Sequence, residues 1–227
     1  DNFYEFENVT YLSNSTFDLE CINTDFCIYL AAVSNDPMGA NFAEQTYLVN
    51  EREAVRIAQL CKSSQREVRF ILASSCSVYG SAGNDAKIET DEVKPITDYA
   101  KSKIQAEKGL KEIAGDNLKV ICLRFATACG ASRSTRLDLA LNDFVVTALM
   151  TGKIEVLSDG KPWRPFIHIK DMALSMKHCL NAPLDNSFEV YNVGSERFTF
   201  RIKELAESIS KLTQTNISIA HSNQSDS

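Results

Sequence analysis

The chain is 227 residues long, 44% hydrophobic and carries a formal net charge of −6. That length holds one large domain or two small ones around a full core, and the acidic balance argues against a nucleic-acid partner. No apolar run approaches the ~20 residues of a membrane span, and the opening DNFYEFENVT is acidic and polar, unlike a signal peptide.

DFCIYLAA (25–32) is a short apolar run ending in two alanines and is predicted to be a buried strand. Residues 41–63 carry Phe42, Leu48, Val49, Ala54, Ile57, Ala58 and Leu60 at helical spacing, which predicts a helix. VRFILASS is the next strand, SVYG turns the chain at Gly80, and Pro95 stands just before a helix over 100–114 that Gly115 closes. LKVICLRFA (118–126) is the third strand. Strand, helix, strand, helix, strand with long crossovers argues for a parallel sheet with helices on both faces. Ligands of such sheets sit at the carboxyl ends of the strands, where LAA, ASS and FAT would line one crevice.

Beyond residue 126 the pattern loosens. NDFVVTALMTGK reads as a helix ended at Gly152, IEVLSDG as a strand and turn, and RPFIHIKDMALSMKHCL as a strand running into a helix with Asp171 as its N-cap. FEVYNVGS reads as a strand, and FTFRIKELAESISKL as an extended stretch becoming an amphipathic helix. This half is expected to form a smaller lobe over the crevice.

Seven cysteines, Cys21, Cys27, Cys61, Cys76, Cys122, Cys129 and Cys179, sit mostly in apolar segments without C-x-x-C spacing. They read as buried reduced thiols of a cytoplasmic protein rather than a disulfide or zinc framework. The three histidines, His168, His178 and His221, show no metal-ligand pattern, so no metal is expected.

Tyr99 and Lys103 stand four residues apart on the helix after Pro95, and Ser75 ends the preceding strand. Positions i and i+4 share a helix face. A cation beside a phenol stabilises phenolate and lowers its pKa from about 10, so a tyrosine so placed can exchange a proton with a sugar or alcohol hydroxyl. Ser75 could hold the same oxygen by a hydrogen bond. Alone, Y-x-x-x-K also describes a tyrosine packed beside a solvated lysine; the strand-end serine is what turns the pattern into a mechanism.

The stretches YLAAVSNDP, ASSCSVYG, YAKSK, LRFATACG, NDFVVTALMTGKIEVLSDG, WRPFIHIKDMA and YNVGS, in this order and spacing, resemble the extended short-chain dehydrogenase/reductases, specifically the NAD-dependent sugar-nucleotide epimerase/dehydratase group typified by UDP-glucose 4-epimerase. The resemblance implies a Rossmann-like, doubly wound parallel α/β sheet with a smaller C-terminal substrate-binding lobe. Residues 1–126 would be the NAD(P)-binding domain and 127–227 mostly the lobe, with 164–182 returning to the Rossmann sheet. Tyr99 would be the acid/base, Lys103 its electrostatic partner reaching the nicotinamide ribose, and Ser75 the hydrogen-bond donor to the reacting oxygen. Ala31, Ala32, Phe125 and Ala126 would line the cofactor, NAD or NADP. Thr127, Asn142 and Arg164 would contact a nucleotide-sugar substrate, the guanidinium matching phosphate oxygens as a planar fork. Two of these have plainer readings: Asn142 capping its own helix, and Arg164 stacking on Trp163. Cys76 reads as a packed thiol with no basic neighbour evident. Arg133 and Arg136 could meet phosphates or simply edge a loop. A homodimer through a four-helix contact of 41–63 and 98–114 is also implied.

Three departures from the family pattern matter. The nine glycines contain no G-x-G-x-x-G, so a first βαβ unit, on the order of 60 residues, is expected to be absent; the C-terminal end also stops short of the family's. The residues after Ser75 are Cys76 and Ser77, not the Asp-Glu pair of dehydratases, which favours epimerisation at C4 through a transient keto sugar, or alternatively reduction of a 4-keto sugar nucleotide. A cofactor-sensing or scaffold protein without turnover is a third possibility. Finally, Thr127 and Tyr29 replace residues common in the family, leaving the sugar open.

Overall fold

The computed structural model describes residues 9–10, 12, 17–18, 23–34, 41–81, 83, 85–132 and 135–219. Cys21, Arg133 and His221 lie outside the described residues. In chain order the elements are β1 (Phe26–Tyr29), α1 (Ala43–Tyr47), a π-helical segment (Leu48–Glu53), α2 (Ala54–Lys62), β2 (Val68–Ser75), a 3-10 turn (Cys76–Tyr79), α3 (Asp98–Ile113), β3 (Leu118–Phe125) and β4 (Thr127–Cys129). They continue as α4 (Ala140–Thr151), β5 (Lys153–Val156), β6 (Trp163–His168), α5 (Ile169–Cys179), β7 (Phe188–Val193), a second 3-10 turn (Glu196–Phe198), β8 (Thr199–Arg201), α6 (Ile202–Thr213) and β9 (Asn216–Ile219).

The main sheet has the order β1-β2-β3-β7, every pair parallel. Side chains alternate across it. Phe70, Leu72, Val120 and Cys122 point to one face and pack with Ala54, Ile57, Ala58 and Cys61 of α2 and Ala106 and Leu110 of α3. Ile71, Ile121, Leu123 and Phe125 point to the other, against Met172, Met176 and Cys179 of α5. Strands buried on both faces read as continuous apolar runs, which is why β2 and β3 were plain in the sequence. The architecture is the expected α/β, Rossmann-like one. At β1, one of the two edge strands among the described residues, Phe26, Ile28 and Leu30 are exposed on or beside the sheet.

A smaller unit gathers around Phe144 and Ala148 of α4, Ile154 and Val156 of β5, Phe166 of β6, and Ile202, Leu205, Ala206 and Ile209 of α6. It contains the sheet β4-β6-β8 and the parallel pair β5-β9. β4 and β9 were not anticipated, since three and four residues are too short to show a period. Of the span 164–182, α5 lies on the main sheet, but Trp163–His168 belongs to the second sheet; the strand that rejoins the main sheet is β7. The N-cap of α5 is His168, whose Nδ1 accepts the Lys170 N–H at 3.2 Å, not Asp171, which sits inside the first turn.

Local chemistry sets α3. Thr97 Oγ1 accepts the Ala100 N–H at 3.2 Å, with Asp98 in the first turn and Lys111 in the last, the arrangement the helix dipole favours. Before it, Gly80 has φ +67°, and a Cβ there would stand 2.1 Å from the Lys94 carbonyl oxygen. Only glycine lets the chain pass so close to the segment leading into α3.

Candidate active site

The carboxyl ends of β1, β2 and β3 lie side by side. Ser75, the last residue of β2, is in register with Phe125, the last of β3. Tyr29, the last of β1, pairs with Leu72, so Leu30, Ala31 and Ala32 run on past the ladder. Ala31 is exposed and Ala32 half-buried.

The chain after them is anchored by a residue that the sequence analysis passed over. Asn50, fully buried in the π-helical segment, accepts the Val33 N–H at 2.8 Å and donates to the Val33 carbonyl at 3.1 Å and to Ser102 Oγ at 3.0 Å. Ser102 Oγ donates in turn to the Tyr99 carbonyl at 2.8 Å. The loop beyond β1 is thus tied to the helix bearing Tyr99. π-Helical turns are rare and concentrate at functional sites; the one trace in the sequence was a polar residue among Leu48, Val49, Ala54 and Ile57.

Ser75 Oγ accepts both the N–H and the hydroxyl of Ser77, at 3.2 and 2.9 Å. Two incoming bonds occupy its lone pairs and leave its own proton to be donated elsewhere. Tyr99 is half-buried in the first turn of α3, and α3 packs against β2. One turn on, the Lys103 ammonium lies 5.8 Å from the centre of the Tyr99 ring, and Lys103 is 2% exposed. Burial pulls the Lys103 pKa down to about 8, against the charges of Cys122 and Glu107, which raise it. The lysine therefore remains mainly protonated at neutral pH, an ammonium in a low-dielectric setting.

Phe125 and Ala126 are buried, and the Ala126 N–H donates to the Val193 carbonyl at 2.9 Å. Thr127 opens β4, opposite Phe166. Asn142 lies inside α4, which Leu139 precedes as N-cap without a side-chain bond, so Asn142 does not cap it. Its Nδ2 donates to the Arg136 carbonyl at 2.9 Å. Arg136 pairs with Asp138 at 2.6 Å and donates to the Ser34 carbonyl at 2.6 Å, joining the 135–139 stretch to the loop after β1. The guanidinium over Trp163 is that of Arg201, 4.8 Å from the ring centre, rather than that of Arg164. Arg164 Nη1 donates to the Trp163 carbonyl at 3.4 Å, and its charge reaches Cys76. Burial pushes the Cys76 thiol up to about 11 and Arg164 lowers it only in part. Cys76 therefore does have a basic neighbour, yet stays a neutral thiol near pH 7.

Glu107 and Arg124, also passed over, form a buried ion pair at 2.7 Å, a turn beyond Lys103 and one residue before Phe125.

The residues present fit the nicotinamide–ribose half of NAD. Ala31 and Ala32 have no side chain beyond Cβ to obstruct a close approach, and a buried ammonium is ready to donate. A Cβ on Gly194 would lie 3.1 Å from that of Ala126, so the third strand end is also kept clear by a small residue. Among the described residues no cluster of three or more His, Cys, Asp or Glu side chains could hold a metal ion, and no helix is long and apolar enough to cross a membrane. The six described cysteines are free thiols.

Comparison with known proteins bears on the family and the fold. The family model described as "NAD dependent epimerase/dehydratase family" matches residues 6–194. An uncharacterized protein, y4nG, of Sinorhizobium fredii is 30% identical over 148 residues, which is 65% of this chain and 35% of that protein. A trifunctional UDP-glucose 4,6-dehydratase/UDP-4-keto-6-deoxy-D-glucose 3,5-epimerase/UDP-4-keto-L-rhamnose-reductase of Arabidopsis thaliana is 26% identical over 69% of this chain and 23% of its own. The chain spans well under half the length of these curated relatives. Among solved structures, the UDP-N-acetylglucosamine 4-epimerase from Methanobrevibacter ruminantium superposes with a TM-score of 0.80 at 21% identity, over 91% of this chain and 67% of that one. MoeE5 in complex with UDP-glucuronic acid and NAD gives 0.79 at 24%, over 91% and 69%. At these identities the structural likeness establishes the fold.

Proposed function

The chain belongs to the NAD dependent epimerase/dehydratase family, and from that premise we propose that it carries the acid–base site of a sugar-nucleotide 4-epimerase. The observation behind this reading is the buried Lys103 ammonium 5.8 Å from the Tyr99 ring, on a helix packed against the strand that ends in Ser75. Tyr99 Oη takes the proton of the sugar 4-hydroxyl and later returns it. The Lys103 ammonium favours the phenolate. Ser75, its lone pairs taken by Ser77, donates its proton to the reacting oxygen. NAD, when bound, supplies the hydride acceptor and donor. Ala31, Ala32, Phe125 and Ala126 line the cofactor, and Thr127, Asn142 and Arg164 receive the nucleotide sugar. Cys76, a neutral thiol, and Ser77 offer no carboxylate pair for removing a ring proton and expelling a hydroxyl, which favours epimerisation over dehydration.

Incubation of the full-length protein with NAD and a panel of UDP-, GDP-, dTDP- and CDP-sugars, followed by NMR, tests this. Interconversion of 4-epimers without net NADH is expected. Stoichiometric consumption of NADPH with a 4-keto sugar would instead identify a reductase, and silence toward every sugar would overturn both readings. The same reading extends to a homodimer through residues 41–63 and 98–114, where Phe42 and Leu48 are exposed; light scattering giving a monomer mass would refute that part.

A further inference from the structure

Beside the ends of β2 and β3, five buried or half-buried polar side chains form one continuous circuit. The Glu107 carboxylate, four residues after Lys103 on α3, is 4% exposed, and Arg124 is 6% exposed. Arg124 Nη2 donates to Glu107 Oε2 at 2.7 Å and Nε to Oε1 at 3.1 Å, a two-pronged pair. Ser74, opposite Arg124 in the ladder, donates its hydroxyl to Oε1 at 2.5 Å. The remaining prong, Arg124 Nη1, donates to Tyr79 Oη at 2.8 Å and to the Glu89 carbonyl at 3.4 Å. Tyr79 Oη donates to Asn192 Oδ1 at 2.7 Å. Asn192 closes the circuit on the 87–89 segment: its Nδ2 donates to the Lys87 carbonyl at 3.1 Å and its N–H to Glu89 Oε1 at 2.7 Å. Burial opposes the Arg124 charge, but Glu107 and Tyr79 outweigh it and hold the guanidinium pKa above its ordinary value.

A buried ion pair gives little stability over a well-packed apolar pair, so the circuit calls for another role. Its members flank the site throughout. Ser74 precedes Ser75, Tyr79 ends the turn that Ser75 opens, Glu107 follows Lys103 by one turn, and Arg124 precedes Phe125. The far end grips backbone in the segment leading to α3. A fully satisfied polar network holds its members to one arrangement.

We infer that Glu107, Arg124, Tyr79 and Asn192 are positioning residues, a buried crosslink that fixes the Tyr99–Lys103 helix and the 87–89 segment against the strand ends. The catalytic half of this inference rests on the proposed function; the crosslink itself rests on geometry alone.

Tyr79→Phe in the full-length protein removes one hydroxyl from the middle of the circuit and leaves the ring and the Glu107–Arg124 pair. The Ile88 and Asp91 amides, which bond within the gripped segment at 3.0 Å each, report on it by hydrogen exchange. Their protection should fall by about tenfold, the factor that a lost buried hydrogen bond corresponds to. With the epimerase substrate, kcat should fall by about as much while KM stays within about twofold, the sign of misplaced acid–base groups rather than lost binding. Asn192→Ala, which removes the bond to the Lys87 carbonyl as well as the acceptor of the Tyr79 hydroxyl, should raise exchange at least as much, and the double variant no more than Asn192→Ala alone, because the Tyr79 hydroxyl reaches the segment through Asn192. Wild-type exchange at Ile88 and Asp91 in both variants would overturn the crosslink. Raised exchange with undiminished kcat would overturn the positioning role. Exchange is read without turnover, so failure of the epimerase reading leaves the crosslink decided separately.

Discussion

The Lys103 ammonium lies 5.8 Å from the centre of the Tyr99 ring, one helical turn away, with Lys103 only 2% exposed. A surface lysine at this spacing would be screened by water. A buried one acts on the phenol through a lower effective dielectric and is screened less. Replacing Tyr99 by Phe removes the proton-carrying oxygen and nothing else. Turnover should fall by about 10²–10⁴-fold, the usual share of a positioned acid/base, while circular dichroism and NAD binding by calorimetry stay near wild type. Activity within tenfold of wild type would refute the assignment of Tyr99.

The same burial makes Lys103 a liability for stability. Its folded pKa, about 8, lies below the ordinary 10.5. The folded state therefore binds the proton less tightly than the unfolded chain. The resulting penalty is fully present below about 8, shrinks as pH rises from 8 toward 10.5, and vanishes above. At roughly 1.4 kcal/mol per pKa unit it amounts to about 3 kcal/mol at neutral pH. Lys103→Met should thus unfold at higher denaturant at pH 7, with turnover lost, and its advantage should narrow as pH approaches 10. A Met variant less stable than wild type at pH 7 would contradict the buried-charge account.

What the sequence made legible follows from which contacts are local. β2 and β3 announced themselves as apolar runs because both their faces are covered, by α2 and α3 on one side and α5 on the other. Tyr99 and Lys103 were legible because helical spacing alone puts them on one face. Asn50 was not, because its meaning comes from Val33 and Ser102, 17 and 52 residues away. Glu107 and Arg124 were not legible either, because only the register that sets Ser74 beside Arg124 reveals a buried pair. His168 displaced Asp171 as cap for a similar reason: β6 runs three residues further than Pro165, and α5 begins where its pairing with β4 ends.

Asn50→Ala should test how strongly the loop after β1 is anchored. It deletes the partners of the Val33 N–H and carbonyl and one bond to Ser102. Leaving buried or half-buried groups unmatched costs about 1–3 kcal/mol, read as a lower urea midpoint with an unchanged slope. Exchange of the Val33 amide should accelerate more than the global change explains. A variant with wild-type midpoint and Val33 protection would show that the π-helical asparagine is incidental to the loop.

Cys76 offers a chemical report on Arg164. Only the thiolate alkylates, and with a pKa of about 11 the Cys76 thiol is almost wholly protonated at pH 7. Its reaction with iodoacetamide should be slow there and rise about tenfold per pH unit until the pH nears that value. Among the described residues Arg164 is the one charge lowering this pKa, against the larger effect of burial. Arg164→Met should therefore raise the pKa further and slow alkylation at any fixed pH below it. A nucleotide sugar whose diphosphate neutralises Arg164 should slow it in the same direction, on top of any shielding. In the Met variant the ligand can slow the reaction only by shielding and by its own negative charge, so any larger effect with Arg at position 164 reports neutralisation of the guanidinium. Mass spectrometry of the Cys76 peptide measures all four rates. Equal rates with Arg and Met at position 164 in the free protein would remove Arg164 from the neighbourhood of Ser75, and with it the substrate contact assigned to this residue.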